Sequence, residues 1–252
     1  MSTKRNDQYK GRLSPAQIAK GINAALHNAK RQADAAALLY ANGYHALASA
    51  IAALSIEESG KVTHLRHLSL AKTDQEVVRV WKDYRTHTKK NQQWPIPMLF
   101  SQGATKLHEL VSLLLDGRSQ LPEYLDYLKQ LGLYTDCLAE GNWSIPDEAV
   151  GEEPAKYLVG AAKCLSNSPD ITVTDVELWA KHMGSAWKGR GELAQADLPA
   201  LKRAVLDYYD AMHERGLGKH HSREASFVQQ IDAAFKVMGC PEAESLKPEG
   251  GS

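Results

Sequence analysis

Between Ile18 and Ile56 the chain repeats small apolar residues at helical spacing, and this constrains its fold more than any other feature. Ile18, Ile22, Ala25, Leu26, Ala29, Ala33, Ala36, Ala37, Leu39 and Tyr40 recur at intervals compatible with one helix face. Ala46 to Ile56 is denser in alanine and leucine, interrupted by Ser49 and Ser55. Small side chains let helices approach closely, so this run is expected to form the central packing seam. It falls far short of the ~20 apolar residues that a membrane span needs. It reads as a buried helix, with no membrane partner.

Start and stop signals divide the run. Ser14 is placed to cap a helix, Pro15 suits its first position, and Gln17 completes a capping box. Asn42-Gly43 lies between two segments of helical period, so it reads as an interhelix turn. A second helix is expected over about Tyr44–Leu70. Thr73-Asp74 caps a third, carrying Val77, Val78, Trp81 and Tyr84 and ending before Trp94. A fourth covers about Met98–Leu115 and a short fifth Pro122–Gln130. The stretch Leu131–Val150 reads as a small hairpin or ordered loop. Further helices are expected near Glu153–Leu165, Asp175–Trp187, Asp197–Glu214 and Ser222–Val237. No internal repeat is visible. The fold class is therefore all-α, a helical bundle with a small loop or hairpin insertion. Its expected organisation is a flexible N-terminus (1–13), a main helical domain (14–167), a C-terminal helical extension (168–240) and a disordered tail (241–252).

Composition narrows the partners. The chain has 252 residues, with 30 Lys+Arg against 30 Asp+Glu. Nucleic-acid contact would need a local patch, because there is no global field. The three cysteines, Cys137, Cys164 and Cys240, are far apart and form no CxxC pair. They support neither a disulfide framework nor a cysteine zinc site. A reducing, cytoplasmic setting is expected, as is the lack of a signal peptide in the polar Met-Ser-Thr-Lys-Arg-Asn start.

Two segments carry chemistry. In Ile56-Glu57-Glu58-Ser59-Gly60-Lys61, two carboxylates interrupt a core-like helix. Spacing makes Glu57 a neighbour of Lys61, and Lys61 of His64; Glu58 points about 100° round the helix. The plain reading is a solvated face with one ion pair worth ~0.3–0.5 kcal/mol. The functional reading is a part-buried acid that needs a partner. Glu57, Glu58, His64 and His67 also raise the question of a metal. A di-metal bundle needs matching Glu-x-x-His motifs on two helices, and Glu109 and Glu214 lack a histidine three residues on. No metal and no cofactor is expected. The second segment is Trp81–Asn91, where an aromatic face runs into Lys82, Arg85, His87, Lys89 and Lys90. Its plain reading is a set of cations favourable at a helix C-terminus. Its functional reading is a phosphate-binding and proton-transfer patch, with imidazole exchanging protons near neutral pH.

These segments together resemble the AbiV family of phage-resistance proteins. The likeness rests on Glu-Glu-x-Gly-Lys (Glu57, Glu58, Gly60, Lys61) after an alanine-rich helix, and on Arg-x-His-x-x-Lys (Arg85, His87, Lys90). Leu131-Gly132-Leu133-Tyr134-Thr135-Asp136, followed by Trp143 and Pro146, resembles the family's Leu-Tyr-x-Asp loop. It covers roughly residues 15–165. The resemblance implies a HEPN-like bundle, a homodimer, and an antiviral endoribonuclease independent of metal. On that footing His87 is the general acid or base, and Arg85 and Lys90 hold the scissile phosphate. Glu57 or Glu58, with Lys61, orients them, while Arg79, Lys82 and Lys89 contact RNA. A phage protein or an antitoxin is a further partner it implies. The alternative is a HEPN-like module that binds RNA, a nucleotide or a protein without catalysis. The usual HEPN ribonuclease signature places four to six residues between Arg and His, whereas Arg85 and His87 have one between them and Arg79 and His87 have seven. That spacing occurs at Arg215 with His220 or His221, an alternative catalytic set. With 11 arginines and 10 histidines, chance supplies about one such pair.

Overall fold

The structure is a computed structural model, and it describes residues 8–86, 121–186 and 197–237. The helix expected at Met98–Leu115 and the tail 241–252 lie outside the described residues. Contacts divide the chain into two compact units, 1–98 with 120–177 and 99–119 with 178–252.

The first unit opens with α1 (Pro15–Ala41) and α2 (His45–Leu70). The Ser14 hydroxyl accepts from the Gln17 N–H, and the Gln17 side chain accepts from the Ser14 N–H, so the capping box is closed. Gly43, at φ +80°, makes the turn between the two helices, a conformation that side-chain-bearing residues avoid. α3 (Asp74–Arg85) starts with a second capping box, formed by Thr73 and Glu76. α4 (Leu121–Leu133) runs three residues beyond the sequence expectation. The stretch after it is a hairpin of two-residue strands, β1 (Asp136–Cys137) and β2 (Trp143–Ser144), paired antiparallel with Cys137 opposite Trp143. The short helix α5 (Pro146–Ala149), which the sequence did not signal, leads into α6 (Glu152–Ser166).

The core lies where α1, α2, α4 and α6 meet. Ala33 and Ala36 of α1 pack with Ala48, Ala52, Ala53 and Ile56 of α2, Leu125 and Leu128 of α4, and Leu158 and Ala162 of α6. Small residues permit this density of backbone, and one buried hydroxyl uses it directly: Ser55 Oγ donates to the Ala29 carbonyl at 2.7 Å. Gly132 shows the same closeness from α4. A β-carbon there would sit 2.4 Å from the Ala46 carbonyl oxygen. α2 is the central element. Ala46, Ala48, Ser49, Ala50, Ala52, Ala53, Ser55, Ile56 and Glu57 are all buried, which covers most of the helix circumference and leaves one narrow stripe, exposed at Leu47 and half-buried at Ile51 and Leu54.

Within the second unit, α7 (Val173–Ala186) contributes residues from Leu178 onward, followed by α8 (Leu198–Glu214) and α9 (Ala225–Val237). Asp197 caps α8 by accepting from the Ala200 N–H. Leu178, Tyr208, Ala211 and Met212 form the core there, with Trp179 edge-on to Tyr208. Among the described residues the secondary structure is helical apart from the one hairpin, and no helix is long and apolar enough to cross a membrane.

The α2–α4 contact makes a paired prediction. Gly132→Ala should destabilise the protein by about 1–3 kcal/mol through overpacking. Gly160→Ala, in α6 where an added β-carbon meets nothing within 4 Å, should stabilise it by about 0.5–1 kcal/mol. Urea unfolding midpoints of the two variants should therefore move in opposite directions.

Candidate functional site

The acidic motif lies in the second half of α2, and its two carboxylates part company. Glu57 points into the bundle and is 3% exposed. Its Oε1 accepts from Lys129 Nζ of α4 at 2.7 Å. Lys129 also pairs with Asp126, one turn earlier on α4, at 2.6 Å. Burial pulls the lysine's pKa down, but hydrogen bonds to Asp126 and Glu57, and then their charges, outweigh it and hold it above the ordinary value. Glu58 turns the other way and pairs with Lys61. This revises the expected Glu57–Lys61 neighbour pair: the recorded ion pairs are Glu57–Lys129 and Glu58–Lys61. Helical spacing was blind to the lysine arriving from α4.

Lys61 connects α2 to α3. Its Nζ stands 5.5 Å from the centre of the Tyr84 ring, within cation–π range. Tyr84 meets Trp81 edge-on at 5.3 Å, and Trp81 Nε1 donates to the Gly11 carbonyl at 2.8 Å. Arg85 lies over the Trp81 ring at 5.2 Å. Its guanidinium donates to the carbonyls of Tyr9 and Trp81. Arg79 and Lys82 are exposed on the same helix. His87, Lys89 and Lys90 lie outside the described residues.

Further along α2, His64 and His67 stand edge to face with ring centres 6.3 Å apart. Burial, and then the charge of His64, lower the pKa of His67 to about 4. Arg66 pairs with Asp175 at 3.1 Å, and Asp175 is 5% exposed. Among the described residues no group of three or more His, Cys, Asp or Glu is placed to hold a metal ion.

The alternative set belongs to the second unit. Arg215 follows α8 and donates to the Ala211 carbonyl at 3.0 Å. His221 rests against His213, with ring centres 4.4 Å apart. His220 stacks on Phe227 and pairs with Glu224. The Glu224 carboxyl is held below its ordinary value, first by the His220 hydrogen bond and then by that of Ser226.

Sequence reasoning missed Lys129, Asp126, Arg66 and Asp175. A signal for Lys129 was present. It follows Leu125 by four residues and Leu128 by one, on the stripe that the bundle buries, where a lysine needs an acid.

The first unit is thus a helical bundle built round a central alanine-rich helix, with acid–lysine pairs at its middle. Residues 17–167 match the family model HEPN_AbiV, described as AbiV. That is more than half of the 252 residues, and the chain belongs to the AbiV family. No curated protein and no solved structure matches it.

Two stability predictions follow from this geometry. Lys129→Met removes the ammonium opposite a buried carboxylate and should cost about 3–5 kcal/mol, while Glu57→Leu with Lys129→Met should recover much of that loss. Double-mutant denaturation curves read the coupling. His67 supplies a pH dependence. Its folded pKa, about 4, lies below the ordinary 6.5, so the folded state binds fewer protons than the unfolded chain between those values. Its contribution is full above pH 6.5 and is lost as pH falls towards 4, by at most about 3 kcal/mol. A His67→Phe protein should show a correspondingly flatter stability profile across that window.

Proposed function

We propose that this protein is an abortive-infection effector of anti-phage defence that acts on RNA as a metal-independent endoribonuclease. Family membership carries the reading, through the motif at the middle of α2. Glu57 and Glu58 already face lysines, so they suit holding and orienting more than proton transfer. The proton chemistry falls to His87, with Arg85 and Lys90 on the phosphate and Arg79, Lys82 and Lys89 along the RNA. The 2′-oxygen attacks the neighbouring phosphorus as the bond to the 5′-oxygen breaks. The base takes the 2′-hydroxyl proton, and a proton passes to the departing 5′-oxygen. The products are a cyclic phosphate and a 5′-hydroxyl. The protein works as a homodimer in the cytoplasm.

One observation favours a second reading. The Arg85 guanidinium is engaged by the Tyr9 and Trp81 carbonyls, which leaves it fewer donors for a phosphate. A bundle of this kind would act by sequestering RNA or a phage protein.

Purified protein with total RNA and a chelator separates the two. Cleavage to cyclic-phosphate ends, reduced by about 10²–10⁴-fold in His87→Ala, supports the nuclease. Retention of intact RNA supports sequestration. Undiminished cleavage by His87→Ala would remove that residue from the mechanism.

A further inference from the structure

The end of the first unit where α4 stops has a surface that the proposed activity leaves unused. Gly132 lies against the Ala46 carbonyl, so the end of α4 meets the start of α2. The Tyr40 hydroxyl donates to Glu152 at 3.2 Å, which brings the end of α1 to the start of α6. The α1–α2 turn, the hairpin and α5 therefore gather at one end of this unit. Large apolar side chains face solvent there: Leu38, Tyr44, Tyr134, Leu138, Trp143 and Ile145, with Trp143 67% exposed. A single exposed apolar residue is ordinary, but a concentration at one place marks a contact surface. Four of the six come from the hairpin and its flanks, within twelve residues of chain.

Charge says what fits. From residue 131 to 155 the chain has six acids, Asp136, Glu140, Asp147, Glu148, Glu152 and Glu153, and no Lys, Arg or His. All six are exposed. The chain as a whole has 30 Lys+Arg against 30 Asp+Glu, so this local acidic excess is offset by a basic excess elsewhere. Its field reaches Tyr40, whose hydroxyl pKa is raised by burial, by the hydrogen bond to Glu152, and by the charges of Glu152 and Glu153. Carboxylates round an aromatic patch repel a phosphate backbone. They also oppose the same end of a second copy. They attract lysine and arginine, whose stems lie along Trp and Tyr rings while the cationic heads reach the acids.

We propose that this end of the bundle docks a basic amphipathic segment of another protein. Its apolar face lies on Tyr134, Leu138, Trp143 and Ile145, and its cations meet the surrounding carboxylates. Ala46 and Lys61 are fifteen residues apart on one helix, about 22 Å along its axis. The docking surface is thus separate from the Lys61–Tyr84 contact, and its occupant need not compete with RNA. The inference stands apart from the nuclease reading.

The test uses the full chain and a fluorescein-labelled synthetic helix with one leucine face and one lysine face. Anisotropy should report saturable binding that weakens as salt rises. Trp143→Ser with Tyr134→Ser should weaken it at least about tenfold. Asp147→Lys with Glu148→Lys should weaken it and flatten the salt dependence. Val78→Ser, an equally exposed apolar site on α3, should change nothing, and a glutamate version of the peptide should not bind. Circular dichroism melts matching the parent confirm that the variants fold. Three kinds of result would overturn the proposal. One is equal peptide binding by parent and Trp143→Ser, Tyr134→Ser protein, or none by the parent. Another is loss of a dimer in that double variant by sedimentation velocity, which would make a second copy the occupant. The third is loss of binding to a labelled RNA oligonucleotide in the same variant, which would make RNA the occupant.

Discussion

The position of Lys129 between Glu57 and Asp126 governs how the acidic motif is used. A lysine ammonium inside a bundle is tolerable only beside carboxylates, and a buried glutamate has the converse need. The pair therefore fixes the rotation of α2 against α4. Once Glu57 faces inward, Glu58 is turned to Lys61, and Lys61 is presented to the Tyr84 ring on α3. Three helices take their relative phase from one buried contact, and the family motif is its visible trace in the sequence.

The alanine seam makes that contact reachable. Long side chains along α1 and α2 would hold α4 and α6 too far away for a lysine to reach Glu57. Ala48, Ala52 and Ala53, with Gly132 from the other side, bring the backbones together. The ion pair supplies specificity and the seam supplies proximity. Neither explains the geometry without the other.

Much of the fold was legible because local chemistry decides it. Ser14, Pro15 and Gln17 form the cap that their spacing implies, and Thr73 repeats it. Gly43 turns the chain where Asn42-Gly43 suggested. The site was less legible because its contacts are long-range. Lys129 is 72 residues from Glu57 and Asp175 is 109 from Arg66, so helical periodicity on one segment had no access to either. Periodicity offered Lys61 to Glu57, while packing brought Lys129 from α4. The role of Arg85 was equally hidden, since its partner Tyr9 precedes the first helix, 76 residues away.

α2 is buried over most of its circumference through its first half, with only the Leu47, Ile51 and Leu54 stripe reaching outward, and this restricts how such a chain can change length. One residue inserted between Ala46 and Glu57 would rotate everything after it by about 100°. Ala48 and Glu57 would then address different neighbours, and no local adjustment could restore both. Surface helices absorb such slips by shifting a broad solvent face, but this one has only a narrow stripe to shift. Packing leaves the turn at Gly43 and the hairpin beyond α4 as the places where added length would cost least, so the spine of the bundle is a fixed ruler and its ends are where the chain can diversify.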